Sequence, residues 1–175
     1  MWYVMQVRTG TEESVRRQCE KMIDSNTLTK CFIPYQERLK RYRGQWHKEL
    51  MPLFPGYVFA DSQDADSLFF ELKRIAGLTK LLGTGDMVIA LTQDETNFLK
   101  QVGKEKQIVA VSKGIIINSQ VTVAEGPLKG LEGYIRRVDR HRRIAWLELS
   151  MFGRVQRVTV GLEIMEKRKT EIKRE

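Results

Sequence analysis

The residues best suited to chemistry in this 175-residue chain are arginines, and they suit the binding of anions. Between Lys129 and Arg157 there are eight basic residues against three acidic ones, and seven of the eight are arginine. The planar guanidinium forms paired hydrogen bonds with phosphate oxygens and guanine edges, which lysine does not. We expect residues 140–143 in one hairpin loop and Arg154 and Arg157 after another turn, so that two basic loops form one binding face. A solvated arginine-rich surface is the alternative.

Catalytic motifs are absent from the sequence. His47 and His141 lie in strongly polar stretches with no signature nucleophile nearby, which is typical of exposed or partly packed histidines. The segment Gly83–Asp86 lacks both the phosphate-loop pattern and the third glycine of a dinucleotide fingerprint, so it predicts a tight hairpin turn. We therefore expect no enzyme.

Metal and disulfide chemistry are equally poorly supported. Cys19 and Cys31 are the two cysteines, too few for a disulfide scaffold or a thiolate zinc site. We interpret both as reduced and buried. Asp61, Asp64 and Asp66 could resemble a nuclease's metal ligands, but they fit better as caps and solvated loop residues. No metal and no cofactor are expected.

The charge distribution indicates a polyanionic partner. The chain carries 30 basic and 22 acidic residues, a net charge of +8. Residues 113–175 contain 14 of the basic and 8 of the acidic residues, so most of the surplus lies in the last third. A concentrated surplus attracts polyanions by steering and by counterion release. No apolar run approaches the roughly 20 residues of a membrane span, and the N-terminus does not read as a signal peptide. We expect a cytoplasmic protein with no membrane partner.

Two further segments could bind partners. The stretch from Glu37 to Lys48 contains five basic residues and two aromatic ones, and it predicts a hairpin around Arg43-Gly44. It is either a basic arm near nucleic acid or a solvated excursion in which Tyr42 packs on Trp46.

The segment from Leu53 to Phe59 has a Pro-Gly pair at the start of an apolar strand, which predicts a turn. Its aromatic residues, with Trp2 and Tyr3, could form an exposed pocket for a partner helix. Aromatic residues are more often part of the core, which is the alternative.

The elements that position these residues fall into two regions. Alternating strands and helices predict an α+β domain over residues 1–103. The predicted strands are 2–8 and 31–34. The predicted helices are one with an apolar stripe of Val15, Cys19, Met22 and Ile23, one over 65–75, and one from Thr92 with a capping box at Glu95. Residues 104–113 are the predicted linker. Short strands separated by glycine turns predict a small β-barrel over 114–166, and 167–175 form a charged tail.

These motifs together resemble the NusG family of transcription elongation factors. The N-terminal likeness is carried by Trp2-Tyr3-Val4, Gly10, Glu12-Glu13 and Phe54-Pro55-Gly56-Tyr57-Val58. The C-terminal likeness, to the family's KOW barrel, is carried by residues 126–133, Arg142-Arg143-Ile144-Ala145 and Met151-Phe152-Gly153-Arg154. Within the family, residues 38–42, 46–48 and 77–85 look most like the LoaP-type paralogs, which are processive antiterminators of long bacterial operons. General NusG is the alternative, followed by an RfaH-like paralog.

The resemblance implies a fold and a first partner. The fold would be an α+β NusG-type N-terminal (NGN) domain, a β-sheet flanked by helices, with a small KOW β-barrel. That N-terminal domain would bind the clamp helices of RNA polymerase through Tyr3, Phe54 and Tyr57, holding the clamp closed. Arg41, Arg43, Lys73 and Arg74 would then lie towards upstream or non-template DNA.

The resemblance also implies partners for the barrel. In LoaP-type factors the barrel recognises a hairpin in the nascent leader RNA, whereas in general NusG it binds Rho or a small-subunit ribosomal protein through the loop matching Met151–Arg154. The RNA-binding candidates are Lys129, Arg136, Arg137, Arg140, His141, Arg142, Arg143, Phe152, Arg154 and Arg157. A different class, a KOW-containing ribosomal RNA-binding protein, explains these arginines but not the Phe54–Val58 motif. We expect a monomer.

Overall fold

A computed structural model describes residues 1–81 and 90–170 of the chain. Its contacts form two compact units. The N-terminal unit comprises Met1–Pro34 and Phe54–Lys100, and the C-terminal unit comprises Tyr35–Leu53 with the chain from Gln101 onward. The segment 35–53, predicted within the N-terminal domain, thus has its contacts in the C-terminal unit. The predicted turn at Gly83–Asp86 and the last five residues of the predicted tail lie outside the described residues.

The N-terminal unit contains a four-stranded sheet. Its strands are β1 (Trp2–Val7), β2 (Lys30–Phe32), β5 (Tyr57–Asp61) and β6 (Leu78–Leu81). They are ordered β2-β5-β1-β6, and each neighbouring pair is antiparallel. The two inner strands, β1 and β5, supply much of the buried core, including Met5, Val58 and Phe59.

Three helices accompany this sheet in the chain: α1 (Glu12–Met22), α2 (Ala65–Leu72) and α3 (Gln93–Gly103). The predicted apolar stripe of α1 is confirmed at Val15, Cys19 and Ile23, which are buried, but Met22 is 41% exposed. None of the helices in the described residues is long and apolar enough to cross a membrane.

Side-chain caps set the starts of α2 and α3. Asp64 accepts hydrogen bonds from the Asp66 and Ser67 backbone amides, and the Ser67 bonds lower the pKa of its carboxyl. Thr92 and Glu95 each accept from the other's amide, which confirms the predicted capping box.

A buried glutamate holds the turn that precedes β5. The Tyr57 amide donates to the Phe54 carbonyl, and Gly56 has a φ of +85°, so Pro55 and Gly56 form the centre of a type II turn. The Glu12 carboxylate, which is 5% exposed, accepts from the Gly56 amide at 2.7 Å and from the Gly10 amide at 2.8 Å. Glu12 therefore joins the first turn of α1 to this loop.

The C-terminal unit begins with the predicted hairpin. Strands β3 (Tyr35–Tyr42) and β4 (Gln45–Pro52) pair antiparallel around Arg43 and Gly44, which both have positive φ. Strand β7 (Ile108–Val109) pairs parallel with β3. Part of the predicted linker is therefore a strand.

Five further strands form the second sheet of this unit: β8 (Ser112–Ile117), β9 (Gln120–Glu125), β10 (Ile135–Asp139), β11 (Ile144–Met151) and β12 (Arg154–Arg168), with a 3-10 turn at Glu132–Tyr134. Their order is β10-β11-β12-β8-β9, and only β12 and β8 pair parallel. In the described residues no backbone pairing joins β9 to β10, so the predicted closed barrel is not shown. The Glu132 side chain, in the 3-10 turn that precedes β10, accepts a hydrogen bond from the Val123 amide of β9 at 3.0 Å.

The β3–β4 hairpin packs against this sheet within the C-terminal unit. Gln36 donates to the Thr159 hydroxyl at 3.2 Å, and the Glu37 carboxylate accepts from the Val111 amide at 3.2 Å. At Gly161 a Cβ atom would lie 2.8 Å from the Glu37 carbonyl oxygen. Glycine is needed at this position because the hairpin backbone approaches β12 so closely.

Candidate nucleic-acid interface

Strand β11 presents an aromatic ring and a carboxylate on the solvent side of the C-terminal sheet. Ala145, Leu147 and Leu149 are buried, while Trp146 and Glu148 between them are partly exposed. Ile144 and Trp146 lie on one face of β11, because the pairing of β11 with β12 has no register shift. Ile144 is buried opposite Gly161, where the β3–β4 hairpin approaches the sheet, whereas Trp146 is covered less completely.

Basic side chains surround Trp146 and Glu148. Arg136 and Arg157 approach the Glu148 carboxylate at 3.8 and 3.5 Å, and the Arg137 guanidinium lies over the Trp146 ring, 4.8 Å from its centroid. We name Arg136, Arg137, Trp146, Glu148 and Arg157 the arginine face. It combines three cations and an aromatic surface with one carboxylate, an arrangement suited to phosphates and to bases.

The β10–β11 turn extends this face. Asp139 accepts from the Arg142 backbone amide at 2.9 Å, and this hydrogen bond holds the pKa of the Asp139 carboxyl below its usual value. Arg142 lies near the same ring, its guanidinium 6.0 Å from the Trp146 centroid. Arg140 and His141 are exposed in the turn.

Arg143 differs from its neighbours because it is held by internal contacts. Its guanidinium pairs with Glu163 at 3.1 Å and lies 3.9 Å from the centroid of the Trp46 ring. Both members of the ion pair are about three-quarters buried. Arg143 therefore fastens the turn to the β3–β4 hairpin.

A cavity of about 430 Å³ lies where the hairpin meets this turn. Its lining includes the basic residues Arg38, Lys40, Arg41, His141 and Arg142, together with Leu39, Trp46, Glu49 and Met51. We name it the hairpin pocket. Arg142 lines it and also approaches Trp146, so the pocket is continuous with the arginine face.

The electrostatics of the hairpin pocket favour an anion. Burial, and secondarily the charge of Arg142, lower the pKa of the Arg38 guanidinium. Arg38 donates to the Met51 thioether at 3.5 Å, while Glu49 pairs with Lys40 at 3.7 Å. Within residues 1–81 and 90–170, neither Arg38 nor Arg142 has a carboxylate at ion-pair distance. A bound anion would neutralise this pair of like charges.

The second predicted basic loop lies away from the first. Phe152 is in the β11–β12 turn and Arg154 begins β12, whereas residues 140–143 are at the other end of β11. A strand of eight residues spans roughly 26 Å. The prediction that both loops form one face therefore holds only for Arg157, which lies in the arginine face, while Phe152 and Arg154 lie at the opposite end of β11. Lys129 lies in a third turn, between β9 and the 3-10 turn.

The predicted DNA-facing residues belong to both units. Arg41 and Arg43 are exposed on the hairpin of the C-terminal unit. In the N-terminal unit, Lys73 lies over the Phe69 ring, while Arg74 pairs with Glu71 and donates to the Met22 carbonyl. Arg74 therefore has a structural role in that unit.

The predicted polymerase-binding aromatics are buried. Tyr3, Phe54 and Tyr57 are 4%, 2% and 8% exposed, so the expectation of an exposed aromatic pocket on these side chains is wrong. The reason is that consecutive residues of β1 and β5 are buried, so both faces of these strands are covered at Tyr3 and Tyr57, and Phe54 packs against Phe59. Burial raises the pKa of the Tyr3 hydroxyl, and Asp64 and other nearby carboxylates raise it further. Pro55, in the same turn, is exposed.

The remaining candidate chemistry is structural. Tyr42 stacks on His47, 3.7 Å between ring centroids, instead of packing on Trp46 as one interpretation proposed. Cys19 and Cys31 are buried free thiols, and their mutual hydrogen bond together with burial raises the pKa of Cys31. In the part of the chain that the structure describes, no group of three or more potential ligands could hold a metal ion.

Three residues of this interface were missed as candidates for RNA binding: Arg38, Trp46 and Trp146. Arg38 and Trp46 belong to the hairpin already noted as a possible basic arm, but no local pattern connects that arm to residues 140–143. Trp146 lies in one of the short strands predicted for the barrel and was given no separate role. A tryptophan three residues after a pair of arginines is the signal that could have found it.

Comparisons with known proteins identify the family. Residues 1–100 match the model of the NusG family, described as transcription termination factor nusG. The chain is similar to the transcription termination/antitermination protein NusG of Staphylococcus carnosus, with 26% identity over 174 residues that cover 95% of this chain and 94% of the relative. It is 25% identical to the Staphylococcus aureus protein of the same name, with the same coverage.

A solved structure supports the fold. The chain is similar to Thermotoga maritima NusG, from a structure titled for its domain interaction, with a TM-score of 0.61, 19% identity and 93% coverage of both chains. The family's members are transcription factors and not enzymes. The family model covers more than half of the chain, and the chain accordingly belongs to the NusG family of transcription termination and antitermination factors.

Proposed function

We propose that this chain is a LoaP-type antitermination factor whose C-terminal unit, a KOW domain, binds a hairpin in nascent leader RNA. The observation that carries the proposal is the arginine face, where Arg137 lies over the Trp146 ring while Arg136 and Arg157 flank the neighbouring Glu148. Three cations with a single carboxylate between them leave a positive surface that suits a polyanion.

The arrangement suits structured RNA in two ways. Guanidinium groups on a rigid sheet hold phosphates at fixed positions, and the release of counterions makes such binding fall steeply with salt. The deep major groove of A-form RNA excludes side chains, so specific contacts require a loop, a bulge or a widened groove. Trp146, Arg137 and Arg142 would meet bases exposed at such a site.

The RNA half of the proposal is tested by substitution in the full chain. We expect Arg137→Gln and Arg157→Gln to weaken the binding of a structured leader RNA. A contact to a base edge costs about 1–3 kcal/mol and reduces discrimination between RNAs, whereas a phosphate contact weakens all RNAs alike and reduces the salt slope by about one.

The matched control for these variants is Arg17→Gln, which removes an arginine of the N-terminal unit that is 74% exposed and paired with Glu13. It should bind RNA like the unchanged chain. Equal losses in all three variants would show only a response to net charge, and no loss in any would place the RNA surface elsewhere.

The N-terminal unit is the proposed polymerase-binding half. We propose that it binds the clamp helices through the surface around the Phe54–Tyr57 turn, with Tyr3, Phe54 and Tyr57 shaping that surface from within. Antitermination then follows if the factor binds the elongating state more tightly than paused or terminating states.

The polymerase contact needs a test that does not damage the core. Phe54→Ala is unsuitable because truncating a buried phenylalanine costs about 3–5 kcal/mol of stability. Pro55 is exposed in the same turn, so Pro55→Glu changes the surface alone. We expect it to abolish capture of core RNA polymerase, while Ser25→Glu, at an exposed loop position, leaves capture unchanged. Normal capture by Pro55→Glu would contradict the assignment.

A second candidate is a general NusG role in which the KOW domain binds Rho or a ribosomal protein. The observation favouring it is Phe152, held at a φ of +58° in a turn at the opposite end of β11 from residues 140–143. If Phe152→Ser abolishes binding of Rho or a small-subunit ribosomal protein and Arg137→Gln leaves RNA binding unchanged, this role replaces the first.

A further inference from the structure

We infer that the hairpin pocket is a binding site for one unpaired nucleotide of an RNA, with its phosphate between Arg38 and Arg142 and its base against Trp46. The inference rests on the proposed function, since it specifies a feature that the bound RNA must have. It adds the β3–β4 hairpin to an interface otherwise formed by the C-terminal sheet.

The charges in the pocket identify the anionic part of the ligand. Arg38 and Arg142 come from different segments, and each guanidinium lies in the other's electrostatic field. Arg38 is partly buried, and its polar partner in the described structure is the Met51 thioether at 3.5 Å. Glu49 in the same pocket pairs with Lys40, and holding Arg38 and Arg142 together with no carboxylate at ion-pair distance of either costs stability, which a bound phosphate would recover through charge-assisted hydrogen bonds.

The size and the apolar lining identify the rest of the ligand. The cavity volume of about 430 Å³ lies in the range of small-molecule sites, and it suits a single nucleotide better than a duplex. Leu39, Trp46 and Met51 supply apolar surface, and Arg143 lies over the Trp46 ring and holds it in place. Bases that leave a helix are commonly recognised by stacking on aromatic rings and guanidinium planes.

The direct test uses a set of stem–loop RNAs that differ only in one bulged nucleotide, titrated against the full chain. We expect a bulged stem to bind at least tenfold more tightly than the fully paired stem. Arg38→Gln should reduce this preference to less than threefold, and Arg142→Gln should do the same. Arg17→Gln, at the exposed arginine of the N-terminal unit, should retain it.

A stability measurement separates recognition from structure. Because Arg38 is a partly buried cation with no carboxylate partner among the described residues, Arg38→Gln should leave the melting temperature unchanged or raise it. Loss of both stability and RNA binding would assign Arg38 a structural role and overturn the inference.

The remaining outcomes distinguish the inference from the function on which it rests. If Arg137→Gln weakens RNA binding but neither the bulge nor Arg38→Gln matters, the proposed function stands and the pocket inference is wrong. If the chain binds none of the stem–loops, the proposed function fails. The nucleotide site can then still be tested with small ligands. It is supported if nucleoside monophosphates shift the indole resonance of Trp46 in the unchanged chain but not in Arg38→Gln, and if unphosphorylated nucleosides cause no shift. DNA stem–loops bound as tightly as RNA would contradict the assignment to RNA.

Discussion

Placing a methyl group at Gly161 should separate the β3–β4 hairpin from the C-terminal sheet. A Cβ atom there would lie 2.8 Å from the Glu37 carbonyl oxygen and 2.8 Å from a Val111 methyl carbon, whereas ordinary contacts begin near 3.4 Å. The neighbours must therefore retreat by about 0.6 Å. The Val111 side chain can rotate, but the Glu37 carbonyl belongs to a strand that is paired with β4 and close to its pairing with β7.

The free-energy change follows from two opposing terms. Overpacking of a well-filled site costs typically 1–3 kcal/mol, and replacing glycine by alanine at a compatible backbone position recovers about 0.4–1 kcal/mol through the unfolded state. We expect Gly161→Ala to lower the free energy of unfolding by about 1–2 kcal/mol. The hairpin pocket should open as β3 moves, so the preference for a bulged RNA should fall as well.

The assay is urea-induced unfolding followed by tryptophan fluorescence, with Gly133→Ala as the matched control. A Cβ at Gly133 has no atom within 4 Å, so that variant should be unchanged or slightly stabilised. An unfolding free energy for Gly161→Ala equal to that of the control, with unchanged amide resonances in the hairpin, would refute the packing of the hairpin on β12.

Three further predictions concern the N-terminal unit. Glu12→Gln should lower the free energy of unfolding by about 1.5–3 kcal/mol, the value of one hydrogen bond to a charged group. The glutamine side chain can accept from only one of the Gly10 and Gly56 backbone amides, whereas the carboxylate accepts from both. A change below about 0.5 kcal/mol in urea unfolding would contradict this. The hydrogen bond from Arg16 holds the pKa of Glu13 at about 2. The unchanged chain should therefore be more stable than Glu13→Gln above pH 5, and this difference in unfolding free energy should disappear as the pH falls from 4.5 towards 2. Because Glu13 is 43% exposed, the difference measured by unfolding at pH 7 should be less than about 1 kcal/mol. The two cysteines should resist alkylation by iodoacetamide at pH 8 until urea unfolds the chain, because both are buried and the pKa of Cys31 is raised. Rapid alkylation of the native protein, measured by mass spectrometry, would show that they are accessible and contradict this.

Local features of the fold were predictable because they depend on neighbouring residues. The capping box of Thr92 and Glu95, the turn at Arg43-Gly44 and the clustering of Arg140–Arg143 in one turn each follow from a few consecutive side chains. The N-terminal motif also identified the family, because its Pro-Gly turn and the preceding glutamates are close in space as well as characteristic in sequence.

The composition of the site was not predictable because it depends on long-range pairing. The hydrogen bond between Gln36 and Thr159 joins residues 123 positions apart, and no local signal indicates it. The partial exposure of Trp146 depends on how far the β3–β4 hairpin covers its face of the sheet, which periodicity alone does not show. Likewise, Tyr57 is buried because both faces of β5 are covered, which depends on packing across the whole unit.

The most direct test of the proposed RNA binding is a titration of the full chain with structured leader RNAs and a scrambled RNA of equal length, at two salt concentrations. The account predicts tight binding that prefers the hairpin at moderate salt. Replacing an arginine of the arginine face that contacts a phosphate should reduce the slope of log binding constant against log salt concentration by about one. Weak binding with equal affinity for both RNAs and a steep salt slope would contradict it, and would leave a general NusG factor whose C-terminal unit chiefly binds proteins.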